Sequence, residues 1–185
     1  MKIRKELKLI QAVVLAAAVI IYAGSKLIHI PGGAHAASKS ETVFVARAVD
    51  GDTLKLSDGR RVRLIGVDTP ELHYSDKLLR DSKRTRKDIK AIQAMGERAA
   101  DFTKRLCEGK AVRIESDVRK SDKYGRLLAY LYLEDGTFIN AKILEEGYGQ
   151  VMTIPPNVKY ADYFLKLQRQ ARESRKGLWD DTDNM

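Results

Sequence analysis

At residues 53–67 the chain reads TLKLSDGRRVRLIGV, in which two apolar stretches flank a short polar segment. Thr53–Leu56 and Arg61–Val67 have the length and composition of strands, and a further strand pattern runs from Val43 to Val49. Ser57-Asp58-Gly59 supplies the residues that a tight hairpin turn requires. The sequence therefore predicts three consecutive antiparallel strands joined by tight turns.

The rest of the chain adds helices and two more strands. Apolar residues recur at helical spacing from Ile92 to Leu106, whereas 111–115 and 127–133 are predicted strands. Short helices are predicted over 139–146 and 160–174. Three strands, a helix and two further strands are typical of a five-stranded Greek-key barrel of the oligonucleotide/oligosaccharide-binding (OB) type. The predicted fold is α+β, mainly β, with about three helices.

A hydrophobic segment precedes this domain. The basic residues of the first eight positions are followed by LIQAVVLAAAVIIYA at residues 9–23, a run typical of a signal peptide. Ala34-His35-Ala36 resembles a cleavage site, and an uncleaved membrane anchor is the alternative. We therefore predict a signal peptide or anchor with its linker over 1–40, the folded domain over 41–180 and a tail over 181–185. Either alternative would place the domain outside the cytoplasmic membrane.

Composition sets weaker limits. The 185 residues carry a formal net charge of +9, which suits a polyanionic partner but equally suits a basic soluble surface. Cys107 is the sole cysteine, so an intramolecular disulfide cannot form. It lies within a helical apolar pattern, and we expect a small buried side chain rather than a reactive thiol.

Acidic residues lie at the ends of two neighbouring predicted strands. Asp52 follows a turn, and Asp68 and Glu71 follow the strand that ends at Val67. Hard divalent cations such as Ca²⁺ bind carboxylate and carbonyl oxygens, so Asp52 and Asp68 could face a common ion. The alternative is that these residues only form turns.

Two groups of basic residues also stand out. Arg63 lies in a strand that is apolar on both faces, so it needs an anionic partner unless the strand is a half-exposed edge. Asp122-Lys123-Tyr124-Gly125-Arg126 is a loop with two cations and a phenol. Such a loop can bind a phosphate, although a solvated hairpin loop is the alternative.

Four runs, taken together, resemble the staphylococcal nuclease family. They occur in the family's order and with similar spacing between Thr42 and Trp179, and four in order form a strong signal. The runs are Val49-Asp50-Gly51-Asp52-Thr53, Arg63-Leu64-Ile65-Gly66-Val67-Asp68-Thr69-Pro70-Glu71, Asp122-Lys123-Tyr124-Gly125-Arg126 with Leu127-Leu128-Ala129-Tyr130, and Gly177-Leu178-Trp179.

The resemblance implies a Ca²⁺-dependent endonuclease that hydrolyses phosphodiester bonds of DNA and also of RNA, and the N-terminal segment predicts that it is exported. It implies Ca²⁺ ligands from the carboxylates of Asp52 and Asp68 and from the carbonyl of Thr69. It implies that Arg63 and Arg126 bind the phosphate, and we expect a monomer.

It further implies that Glu71 orients or deprotonates the attacking water, and that Lys123 and Tyr124 contact a terminal phosphate of the substrate. Two departures accompany the resemblance. Thr153 stands where the family usually has a tyrosine that lines the nucleotide pocket. The loop after Glu71 is longer and more basic than usual, and we predict an exposed, partly helical loop from His73 to Lys90. We expect its residues 77–90 to contact the nucleic-acid backbone, and the alternative is a solvated loop without such a contact.

Two other classes of function remain open from the residues themselves. One is an inert barrel that only binds nucleic acid, and the other is a membrane-proximal scaffold that binds an acidic polymer through the basic stretch. The presence of Asp52, Arg63, Asp68, Glu71 and Arg126 together favours the enzyme.

Overall fold

The computed structural model describes residues 42–73, 76–85 and 88–180. The predicted hydrophobic segment with its linker, and the tail at 181–185, lie outside the described residues. Within those three ranges, no helix combines the length and the apolar character needed to cross a bilayer.

Seven strands and four α-helices make up the described part of the chain. The strands are β1 (Thr42–Ala48), β2 (Thr53–Leu56), β3 (Arg61–Leu64), β4 (Gly66–Asp68), β5 (Ala111–Glu115), β6 (Leu127–Leu133) and β7 (Gln150–Met152). The helices are α1 (Asp76–Thr85), α2 (Ile89–Cys107), α3 (Ile139–Glu145) and α4 (Ala161–Glu173), and a 3₁₀ turn follows at Gly177–Trp179.

Five of the strands close into a barrel in the order β1-β2-β3-β6-β5, which confirms the predicted five-stranded barrel. Neighbouring strands are antiparallel except β3 and β6, which pair in parallel with Val62 opposite Leu127. Strand β1 pairs with β2 and also with β5, and its register shifts between Val45 and Arg47. Such a shift bends the strand, so that one part of β1 pairs with β2 and another part pairs with β5.

The strand predicted over Arg61–Val67 is wrong as a single element. It ends at Leu64, and the chain leaves the barrel to form β4, which pairs with β7 in a separate two-stranded sheet. The cause is Gly66, whose φ is +78° and whose missing Cβ leaves room for the ring of Phe164, 2.5 Å from where that Cβ would lie. The break leaves Arg63 in the barrel and places Asp68 on the neighbouring sheet.

Most of the basic stretch is helical, which is more helix than the partly helical loop of the prediction. Helix α1 covers ten residues from Asp76 to Thr85, and Lys90 lies in α2. Leu78 is fully buried, so one side of α1 packs against the domain. The sequence does not indicate this contact, because α1 has only two apolar residues, Leu78 and Leu79, among many charged ones.

The core fills the barrel and extends beneath α3 and α4. Asn140 on α3 is fully buried, where its Oδ1 accepts a hydrogen bond from the Leu131 amide and its Nδ2 donates to the Ile65 carbonyl at 2.9 Å. This side chain satisfies main-chain groups that the strand break would otherwise leave unpaired. Cys107 is fully buried, and burial raises the pKa of its thiol to about 12, as expected for an unreactive cysteine.

Candidate active site

One cavity brings together the ends of the strands that carry the predicted site residues. Its volume is about 370 Å³, and it opens between the barrel and the two-stranded sheet. Five carboxylates and three arginines line it, namely Asp50, Asp52, Asp68, Glu71, Asp122, Arg63, Arg119 and Arg126. We call it the active-site cavity below.

The turn before β2 fixes Asp52. The Oδ1 atom of Asp50 accepts hydrogen bonds from the amides of Asp52 at 3.0 Å and Thr53 at 2.7 Å. Such a side-chain-to-backbone turn holds Asp52 rigidly at the start of the strand. Burial, and next the negative charge of Asp52, raise the pKa of Asp50 to about 6.

Arg63 joins the two predicted metal-binding carboxylates. Its Nη1 lies 2.7 Å from Oδ1 of Asp52, and its Nη2 lies 3.0 Å from Oδ1 of Asp68. Nη1 also donates to the Val67 carbonyl at 2.7 Å. The Arg63 side chain is only 11% exposed and that of Asp52 7%, so the guanidinium has the anionic partners that its burial requires.

The remaining oxygen of Asp52 is held by Thr69. Its Oδ2 accepts a hydrogen bond from the Thr69 amide at 2.9 Å and another from the Thr69 hydroxyl at 3.2 Å. Gly51 permits this approach, because a Cβ there would lie 2.7 Å from the Thr69 side chain. The turn before β2 and the segment after β4 are therefore packed directly together around Asp52.

Glu71 lines the same cavity and is half-buried. Its main chain lies against α2 at Gly96, where a Cβ would come within 2.7 Å of the Glu71 carbonyl carbon and oxygen. The prediction of site residues missed Gly96. A glycine inside an otherwise regular helix was the available signal, since such a residue costs helix stability unless packing requires it.

The loop before β6 places Arg126 on another wall of the cavity. Its Nε donates to Oδ2 of Asp122 at 2.7 Å, while Oδ1 of Asp122 accepts from the amides of Tyr124 and Arg126. Burial alone would raise the pKa of Asp122, but the hydrogen bonds from Arg126 outweigh it and hold that pKa below its usual value. The carboxylate therefore orients the guanidinium with its other nitrogens available to a ligand.

The two predicted substrate contacts lie beside the cavity. Lys123 and Tyr124 are exposed on the turn before Arg126 and are not among the residues that line the cavity. The Lys123 ammonium lies 4.9 Å from the centre of the Tyr124 ring, and the Arg126 guanidinium lies 5.5 Å from it. Tyr124 thus joins the two cations into one exposed basic edge.

Arg119 and Asn157 line the cavity too, although no sequence pattern marked either of them. Asn157 is buried and bonds to both main-chain groups of Arg119, 38 residues earlier in the chain. Thr153 is exposed and does not line the cavity, whereas its neighbours Met152 and Ile154 do. Local periodicity does not indicate the contact between Asn157 and Arg119, because the two residues lie 38 positions apart in the sequence.

The donor set suits a hard divalent cation. The carboxylates of Asp52 and Asp68 already share one cationic group, the guanidinium of Arg63, so both face a common point. Throughout the described ranges, no group of three or more His, Cys, Asp or Glu side chains is arranged to hold a metal ion. An ion here would therefore need carbonyl, water or substrate oxygens besides the two carboxylates, as Ca²⁺ commonly takes.

Comparison with known proteins identifies the family of the chain. The family model described as "Staphylococcal nuclease homologue" matches residues 61–181. The thermonuclease of Staphylococcus intermedius is 38% identical over 145 residues, which cover 77% of this chain and 78% of that protein. The thermonuclease of Staphylococcus hyicus is 37% identical with the same coverage, and endonuclease YncB of Bacillus subtilis (strain 168) is 34% identical over 80% of this chain and 67% of its own. The chain therefore belongs to the staphylococcal nuclease family and is a nuclease, a hydrolase of phosphodiester bonds.

Proposed function

We propose that this nuclease is a Ca²⁺-dependent endonuclease of DNA and RNA that works outside the cytoplasmic membrane. The observation that carries the proposal is the convergence of Asp52, Arg63, Asp68 and Arg126 on one cavity. The endonuclease name of one relative and the thermonuclease names of two others support the reaction class.

The arginines bind the phosphate and stabilise its transition state. Attack on phosphorus adds negative charge to the phosphoryl oxygens, and guanidinium groups fixed beforehand stabilise that charge without rearranging. Arg126 is fixed by Asp122, and Arg63 by Asp52 and Asp68. A planar guanidinium can also contact two phosphate oxygens at once, which aligns the phosphorus for attack.

Glu71 acts on the attacking water. The oxygen of water forms a bond to phosphorus while the ester oxygen leaves, and Glu71 orients the water or takes its proton. Its place on the cavity wall supports this role, and its main chain is held against α2. Asp52, Asp68 and the carbonyl of Thr69 would hold the Ca²⁺ ion. When bound, Ca²⁺ supplies additional positive charge for the phosphate.

Lys123 and Tyr124 would contact a terminal phosphate of the substrate at the exposed edge of the site. Their exposure and their position beside Arg126 support this assignment. The N-terminal basic and apolar runs support the location outside the cytoplasmic membrane. The domain has a single predicted site, and we propose that it works as a monomer.

The activity is tested by incubating purified protein with DNA or RNA and following fragment length. We expect internal cleavage in Ca²⁺, none in excess EDTA, and recovery when Ca²⁺ is restored. An inert nucleic-acid-binding barrel would retard both substrates on a gel without cutting them. A scaffold for another acidic polymer would neither cut nor retain them at physiological salt. Cleavage that continues in EDTA would contradict the metal dependence.

Gly96→Ala is expected to lower kcat by about tenfold to a hundredfold. The new methyl group must displace the Glu71 main chain, and misplacing a catalytic group by about 1 Å can cost that much. Ala94→Ser, a small change at an exposed position of the same helix, is the matched control and should retain kcat. Both variants are assayed with thermal unfolding measured in parallel. A folded Gly96→Ala protein with normal kcat would show that this contact does not position Glu71.

Export is tested by cell fractionation of the native host with an antibody to the folded domain. The basic first eight residues and the apolar run at 9–23 predict that the domain is found outside the cytoplasmic membrane, released or attached. Replacing two apolar residues of that run by arginine should leave the protein inside. A soluble pool of full-length wild-type protein inside the cell would contradict this prediction.

A further inference from the structure

The three arginines of the active-site cavity differ in their partners. Arg63 is paired with Asp52 and Asp68, and Arg126 is paired with Asp122. Arg119 is exposed, and within the part of the chain that the structure describes its guanidinium forms no ion pair or hydrogen bond with the protein. It is therefore a cation on the cavity wall whose charge is available to an anionic ligand.

The main chain of Arg119 is nevertheless fixed. Asn157, only 5% exposed, accepts a hydrogen bond from the Arg119 amide at 2.7 Å and donates one to the Arg119 carbonyl at 2.8 Å. The main-chain N–H of Asn157 in turn donates to the carbonyl of Ile154, a residue that lines the cavity. The side chain thus starts from a rigid base beside an apolar part of the wall, which limits the entropy lost when it binds a ligand.

The cavity also needs such a cation. Five carboxylates face its interior against three arginines, and a nucleic-acid strand carries a negative charge at every nucleotide. Under the proposed function, Arg63 and Arg126 bind the phosphate that is cut. A neighbouring phosphate approaching the same carboxylates would be repelled unless a further cation met it.

We propose that Arg119 binds a phosphate of the substrate strand other than the one that is cut and other than the terminal phosphate assigned to Lys123 and Tyr124, so that the wall at Arg119 and Asn157 is a further phosphate site. The inference rests on the proposed nuclease function. The apolar side chains of Leu128, Met152 and Ile154 lie on the wall of the same cavity and suit the sugar or base of the bound strand. Arg119 fixes the register of the strand and carries no sequence preference, as phosphate contacts generally do.

The test combines a protein variant with a change in the substrate. Binding of a fluorescent single-stranded DNA hexanucleotide to the full-length chain is measured in EDTA, with each phosphate in turn replaced by an uncharged methylphosphonate. We expect one replacement, at neither the cut phosphate nor the terminal phosphate beside Lys123, to weaken wild-type binding by about fivefold to tenfold. The same replacement should weaken the binding of Arg119→Gln less than twofold. The slope of log affinity against log salt concentration should be smaller by about 0.7 in Arg119→Gln than in the wild type.

Lys120→Gln is the matched control. It removes the same charge one residue along the chain, from an exposed side chain that does not line the cavity, and should retain the full methylphosphonate penalty. The proposal is overturned if Arg119→Gln alters no positional penalty, alters only that of the cut phosphate, or if the wild type does not bind the hexanucleotide. Cleavage of the unmodified hexanucleotide by the wild type in Ca²⁺ locates the cut and tests the nuclease function separately.

Discussion

Arg126→Gln is expected to lower kcat for DNA cleavage by about a hundredfold to a thousandfold while leaving the fold intact. Removing one fixed donor to a developing oxyanion has effects of this size. The Arg126 side chain is 28% exposed and its ion pair with Asp122 lies on a loop, so little stability depends on it. Steady-state kinetics in Ca²⁺, with thermal unfolding alongside, measure both quantities.

Two further variants sharpen this prediction. Arg126→Lys retains the charge but loses the planar, two-pronged contact, and we expect it to recover only a small part of the lost rate. Arg105→Gln removes an exposed arginine of α2 and should leave kcat within twofold of the wild type. Wild-type kcat in Arg126→Gln would show that this arginine does not contact the phosphate during the reaction.

Arg63→Gln should lose both activity and stability. Its removal leaves the nearly buried carboxylate of Asp52 without its cation, and such a loss lowers the free energy of unfolding by about 3 to 5 kcal/mol. We expect kcat to fall at least as far as in Arg126→Gln, because Arg63 also positions Asp68. Urea denaturation without added Ca²⁺ gives the stability, and kinetics at a temperature where the variant is folded give the rate.

The control for stability is Arg60→Gln, at the turn residue that directly precedes β3. Arg60 pairs with Asp58, and both side chains are more than a third exposed, so removing this pair should cost no more than about 1 kcal/mol. Equal losses of unfolding free energy in Arg60→Gln and Arg63→Gln would show that the buried pair with Asp52 stabilises the fold no more than the exposed pair with Asp58.

The hydrophobic pattern was sufficient to predict the barrel. Each barrel strand shows its own periodicity, and turn residues such as Ser57-Asp58-Gly59 mark where the chain reverses. The parallel contact between β3 and β6 could not be predicted in this way, because it joins Val62 to Leu127 across two helices. Pairing between strands distant in sequence depends on the tertiary fold, which local patterns do not record.

The two differences between the predicted and the observed elements have distinct physical causes. The strand through Val67 continues as an apolar pattern across Gly66, so only its left-handed backbone and its contact with Phe164 reveal the break. The basic stretch is predicted only as a partly helical loop because its charge dominates, whereas the burial of Leu78 packs α1 against the domain. In both places one tertiary contact decides the local structure.

Most residues of the candidate site lie at positions that the sequence could mark. Asp52 directly precedes β2, Asp68 ends β4, Glu71 follows it, and Arg126 lies in a polar loop. Arg119 carries no such signal, because its position depends on Asn157. Gly96 is marked only as a glycine inside a helix, and its contact with the Glu71 main chain is found in the tertiary structure alone. Catalytic and ligand-binding residue types can be predicted from a sequence, whereas the residues that position them are identified only from the tertiary contacts.

A Ca²⁺ titration of Asp68→Asn tests most directly whether cleavage depends on an ion held by Asp52 and Asp68. Asp68 is the more exposed of the two carboxylates, at 21% against 7%, so its substitution disturbs the fold least. Initial rates are measured against free Ca²⁺ for the wild type and the variant, with Ca²⁺ binding followed by calorimetry. We predict that the Ca²⁺ concentration for half-maximal rate and the calorimetric Kd both rise at least tenfold in Asp68→Asn. Unchanged values for both would contradict the assignment of this site.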